Sequence, residues 1–215
     1  VDGRSHYLRL STLSAIEDVP VGSIVRVGPI TSSGTEHSQR RRPEVSVRML
    51  SRLPLEEQIT ARGATWLDRE LVVRDKTLLA QGGLGAVVRD ALDRRAAHLV
   101  DEGLAQRRGS RIIFAQDLLG TLTGRELARA SETIAAETGL DRRMIEEGDR
   151  FEGVYRGRLD LVSGRFALID NGKQFMLVPW RPVVERELGR EVGGIIRSGG
   201  GVSWTLGLER GPSIG

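Results

Sequence analysis

Turn signals cut residues 151 to 206 into strand-length pieces, and this punctuation limits the fold more than any other feature. Glu152-Gly-Val-Tyr-Arg-Gly-Arg-Leu-Asp-Leu161 runs to a turn at Val162-Ser-Gly164. Arg165 to Asp170 runs to Asn171-Gly172. That dipeptide is the strongest short hairpin signal, because both residues tolerate the positive φ of a two-residue turn. Gln174 to Pro179 leads into a short helix over Arg181 to Leu188, and two more strands follow around Gly199-Gly-Gly201. Five short strands with one short helix predict a small β-barrel of the SH3 or OB kind over residues 148–215.

The preceding stretch, 54–140, has a different period. Pro54 opens a helix in which Leu55, Ile59, Leu67 and Leu71 recur at helical spacing, with Glu56 and Glu57 in its first turn. Gly63 falls inside it. A second helix is predicted from about Leu84 to Glu102, with Val88, Leu92, Ala96 and Leu99 on one face and Gly103 as its stop. Arg95 falls on that apolar side, where it must snorkel or pair with an acid. Leu104 to Phe114 reads as two short strands around a turn. A last helix covers about Asp117 to Thr138, with Gly120 and Gly124 as possible breaks and Gly139 at its end. Helices followed by a hairpin outline a winged helix. Residues 141–150 are charged without an apolar period and read as a linker.

Residues 1–50 carry three alternating segments, at His6–Leu10, Gly22–Gly28 and Glu44–Met49, with a polar loop between the last two. They predict a small sheet or partial barrel. The fold class is therefore α+β, in three parts: 1–50, 54–140 and 148–215.

Several function classes lose support. No run of eighteen apolar residues exists, so no membrane insertion is expected. The chain has no Cys, which removes disulfides and thiolate metal sites and suits a bacterial cytoplasm. It opens on Val1 rather than Met, which suggests a piece of a longer protein or a processed product. His6, His37 and His98 have no metal-ligand spacing. His6 and Tyr7 are adjacent, but neighbours on a strand face opposite ways. Gly82-Gly-Leu-Gly85 and Gly199–Gly201 lack the Gly-Lys-Ser/Thr of a phosphate loop. No catalytic residue, metal or cofactor is expected.

The net charge is only +3 although the pI is 9.9. Lys76 and Lys173 are the only lysines, so an arginine excess holds the charge positive far up the pH scale. A G- and C-rich genome explains that bias as well as phosphate binding does. Within 51–140 thirteen basic residues balance thirteen acidic ones, and the outward set of the second helix (Arg89, Asp90, Asp93, Arg94) cancels. Two loops are purely basic: Arg40-Arg41-Arg42, and Arg107 and Arg108 with Arg111. They are the candidate phosphate contacts. Trp180-Arg181 and Trp204 could stack on bases, or serve as barrel core.

Several runs taken together resemble one family. Leu177-Val-Pro-Trp-Arg-Pro-Val-Val-Glu-Arg186, Leu188-Gly-Arg-Glu-Val192, Gly201-Val-Ser-Trp204 and Arg210-Gly211 resemble the carboxy-terminal region of VirD-type relaxase/mobilisation nucleases. So do Asp2-Gly3-Arg4 with Ile24-Val25, Ala61-Arg-Gly-Ala-Thr-Trp-Leu-Asp68, Gly83-Leu-Gly85 with Val88-Arg-Asp-Ala-Leu92, and Gly124-Arg-Glu-Leu127. In that family nicking belongs to an amino-terminal domain with a Tyr nucleophile and a His-rich metal site. Neither pattern is present, so the resemblance implies a non-catalytic region that helps hold DNA during mobilisation. One alternative is a module docking the coupling protein or other type IV secretion components. Another is a winged-helix transcriptional regulator.

Overall fold

The computed structural model describes residues 19–29, 45–73 and 82–206, and the chain divides into two compact units, 1–119 and 120–215. It is a mixed α+β protein. Small two-stranded sheets lie in the amino-terminal unit and a six-stranded sheet in the carboxy-terminal one. The strand expected over residues 6–10 lies outside the described residues.

In the first unit, β1 (Ile24–Pro29) pairs antiparallel with β2 (Val45–Ser51). The helix expected from Pro54 onward is two helices, α1 (Leu55–Ile59) and α2 (Trp66–Val72). The apolar period spans both because Ile59 and Leu67 enter the same core, against Ala91. The break has local chemistry. Thr65 and Asp68 form a capping box: Asp68 N–H donates to Thr65 Oγ1 at 3.2 Å, and Thr65 N–H donates to Asp68 Oδ2 at 2.7 Å. Buried Gln58 spans the gap, donating to Leu53 O at 2.7 Å and accepting from Leu67 N–H at 3.3 Å.

α3 (Leu84–Asp101) presents Val88, Ala91, Arg95, Ala96 and Leu99 to the interior. Arg95 pairs with an acid rather than snorkelling. Its Nε donates to Asp68 Oδ1 at 2.8 Å and Nη2 to Asp68 Oδ2 at 2.9 Å. The remaining donors reach Ile59 O (3.1 Å), Ala61 O (2.6 Å) and Gly63 O (3.3 Å). All five guanidinium N–H groups are thereby satisfied, and both side chains are 0 % exposed. α3 ends at Gly103, with φ +71°. Leu104 N–H reaches Leu99 O, and Gly103 N–H reaches Val100 O. This is the two-bond stop that a left-handed glycine permits. Then β3 (Ala105–Arg108) and β4 (Arg111–Phe114) form a hairpin.

The second unit begins within α4 (Leu118–Thr138), which runs unbroken through Gly120 and Gly124. The sheet order is β10-β9-β6-β7-β8-β5, built from β5 (Asp141–Arg142), β6 (Arg150–Asp160), β7 (Arg165–Asp170), β8 (Gln174–Pro179), β9 (Glu191–Arg197) and β10 (Gly201–Leu206). A 3-10 helix, Pro182–Glu187, joins β8 to β9. Within the segment read as a linker, β5 pairs parallel with β8. Phe151, Tyr155, Ala167, Ile169, Met176, Val178, Val184 and Val192 form the main core. The opposite face at β7 and β8 packs Phe175, Leu177 and Leu168 against Leu127, Ala130 and Ile134 of α4. Glu126 fixes that helix to the β6–β7 turn, accepting from Val162 N–H at 2.8 Å and Ser163 N–H at 2.9 Å.

Candidate nucleic-acid interface

The β3–β4 hairpin closes through Gly109-Ser110, with Gly109 at φ +60°, as a two-residue turn demands. Its register sets Arg108 directly opposite Arg111, and Arg107 opposite Ile112. All three arginines are exposed. Among the described residues none of them makes an ion pair. Like charges directly opposed across a hairpin are destabilising, and no acid stands between Gly103 and Gln116 to offset this one. α3 differs: Arg94 Nη1 reaches Glu56 Oε2 at 2.9 Å and Asp90 Oδ2 at 3.7 Å, so this charge is answered within the unit. Arg40, Arg41 and Arg42 lie outside the described residues.

In the second unit Trp180 follows β8, and Arg181, exposed, caps the 3-10 helix. The structure gives Trp180 two neighbours that sequence reading did not select. Arg158 stands 5.1 Å and Arg165 5.2 Å from the centre of its ring. Arg158 Nε donates to Asp160 Oδ2 at 3.0 Å, and Arg165 Nε forms an ion pair with the other oxygen, Oδ1, at 3.1 Å. The indole N–H donates to Glu185 Oε2 at 2.9 Å, and the Tyr155 hydroxyl donates to the same oxygen at 3.3 Å. Burial, with the Glu185 charge adding, pushes the Tyr155 phenol above its ordinary range.

A register shift between Tyr155 and Gly157 assembles this group. Tyr155 opposes Ile169, and Arg158 opposes Ala167, so both point to one face although they stand three positions apart. Plain alternation would send Arg158 to the other side. The detectable signal was Asp160 with Arg165, which bracket the Leu161–Gly164 turn as a cross-strand pair. Trp204 belongs to the core boundary, edge-on to Phe151 at 5.3 Å.

Elsewhere in this unit a cleft of about 920 Å³ carries Arg143, Arg150 and Arg156 alongside Glu152, Asp170 and Glu191. Three positive and three negative side chains make it poor at attracting a polyanion. Among the described residues no cluster of His, Asp and Glu could hold a metal ion, and no helix is long and apolar enough to cross a membrane.

Neither a curated protein nor a solved structure matches the chain. A family model does match, over residues 30–213, a span that contains the hairpin, the Trp180 group and the cleft. Its description is a protein of unknown function, DUF3363. The chain belongs to that family.

Proposed function

We propose that this chain is a non-catalytic accessory region of a conjugative relaxase that helps to hold DNA during mobilisation. The observation that carries the DNA reading is the hairpin: Arg108 opposes Arg111, Arg107 stands on the other face opposite Ile112, and none of the three makes an ion pair among the described residues. An uncompensated like-charge pair costs stability in the free protein, and a phosphate between the guanidinium groups removes that cost. In this reading α3 and the hairpin act as a winged-helix-like element whose hairpin makes the contact. The carboxy-terminal sheet is a small barrel of the SH3 or OB kind. Support for the relaxase parent comes from the resemblance carried by Leu177–Arg186 and the upstream runs. The work would be done in the cytoplasm of a bacterium.

A salt series of binding to single- and double-stranded DNA tests this. Log affinity should fall linearly with log salt concentration, and replacing Arg107, Arg108 and Arg111 with Gln should flatten the slope by roughly one per arginine. No binding at low salt, or a slope unchanged by the substitutions, contradicts it.

A second reading draws on the charge-balanced cleft: a module that docks the coupling protein or another secretion component. Capture of the purified coupling protein by the whole chain, abolished by reversing the charges of Arg150 and Glu152, would favour it over DNA binding.

A further inference from the structure

We infer that Arg158 and Arg165, held against Trp180, form a second anion clamp, which takes a backbone phosphate of a nucleic-acid strand. This rests on the nucleic-acid reading above and extends it to the second unit.

The geometry steadies two forks and leaves their tips without a hydrogen bond among the described residues. Each guanidinium is restrained by the indole, within 5.2 Å of the ring centre, and by Asp160, which accepts a hydrogen bond from Arg158 Nε and forms an ion pair with Arg165 Nε. Asp160 engages one oxygen with each arginine, so a single carboxylate orients both forks. The Nη groups are not used in those bonds. Glu185 Oε1 stands 3.8 Å from Arg158 Nη1, an ion pair beyond hydrogen-bond length. Glu185 is instead held by Trp180 and Tyr155 through its other oxygen. The two arginine side chains remain 31 % and 27 % exposed, enough for a ligand to reach them.

A phosphate oxygen is the acceptor that suits such forks. Guanidinium groups bind phosphate bidentately through paired N–H donors, and a fork already immobilised loses little further freedom on binding. Two arginines and two carboxylates (Asp160 and Glu185) leave the cluster without net charge. Recognition here must therefore come from donor direction, not from bulk attraction. Asp160 and Trp180 are positioning residues.

That difference supplies the test. The full chain is titrated with a fluorescently labelled oligothymidylate, alongside Arg158→Lys, Arg165→Lys and Asp160→Asn, with thermal melts confirming that each variant folds. Lysine keeps the charge but lacks the fork, so each Lys variant should bind roughly tenfold more weakly. Asp160→Asn removes one negative charge, which bulk attraction would convert into tighter binding; the clamp expects weaker binding because the forks lose their common anchor. Lys variants that bind like the wild type, or an Asp160→Asn variant that binds more tightly, overturn the clamp. The Gln variant of Arg107, Arg108 and Arg111 separates the two proposals. If it abolishes binding while the Lys variants leave it intact, only the clamp falls. If the wild type binds no oligonucleotide, both fall, and capture by anionic phospholipid vesicles in that case would assign the phosphate to a lipid instead.

Discussion

Arg95 in the first unit and Arg158 in the second each sit beside a carboxylate, yet they are opposite in kind. Arg95 is fully buried, gives all five donors to Asp68 and three backbone carbonyls, and has nothing left for a ligand. Arg158 is about a third exposed and anchored through Nε and a ring face, with Nη1 no nearer than 3.8 Å to Glu185 Oε1. Chemical type and a nearby acid do not separate an arginine that builds the fold from one that can bind. Donor saturation and burial do. The hairpin arginines lie furthest toward the binding end, all three exposed and Arg108 directly opposite Arg111.

The largest effect expected from this contrast is at Arg95. Arg95→Met strands Asp68 as a buried charge and leaves the Ile59, Ala61 and Gly63 carbonyls without their donor. Removing one partner of a buried pair costs about 3–5 kcal/mol, which denaturant melts of the full chain would register. A loss within error would erase the distinction drawn here.

Glu126→Ala should follow, at about 1–2 kcal/mol, because it removes the acceptor of the Val162 and Ser163 amides. Hydrogen exchange should speed up at those two amides before it does in β7 or β8.

Arg158→Lys should cost less than about 1 kcal/mol, since a partly exposed ion pair and cation–π contact stabilise little. The same substitution should weaken DNA binding. A variant that loses stability but keeps binding would move Arg158 into the class of Arg95.

The smallest effect is confined to alkaline solution. The Tyr155 pKa is raised in the folded chain, so its neutral phenol contributes stability fully below the unfolded value, about pH 10. That contribution is lost as pH rises from there through the folded value. Melts across this range should show an alkaline decline that Tyr155→Phe flattens.

Much of this architecture was legible from local signals. Gly103 and the Asn171-Gly172 turn mark real ends, because a left-handed glycine and a tight hairpin are set by a few neighbouring residues. A charge on an apolar face left Arg95 two outcomes, snorkelling or pairing, and the structure shows pairing. Its partner was not legible, since Asp68 lies twenty-seven residues away on another helix. The split of the first helix was hidden because apolar spacing continues across a break that Thr65, Asp68 and Arg95 stabilise from the side. Trp180 was singled out as either a stacking platform or barrel core; Arg158 was not singled out, because a one-residue shift in β6 turns it toward the Trp180 side. The runs that carried the resemblance prove partly structural: Asp68 caps and pairs, and Glu126 ties helix to turn.

The most direct test follows arginine side-chain N–H resonances by NMR during titration with DNA. The account expects those of Arg107, Arg108 and Arg111 to move first, those of Arg158 and Arg165 to move as the strand engages the second unit, and that of Arg95 to stay in place. Saturating DNA that leaves the hairpin arginines unmoved would contradict it.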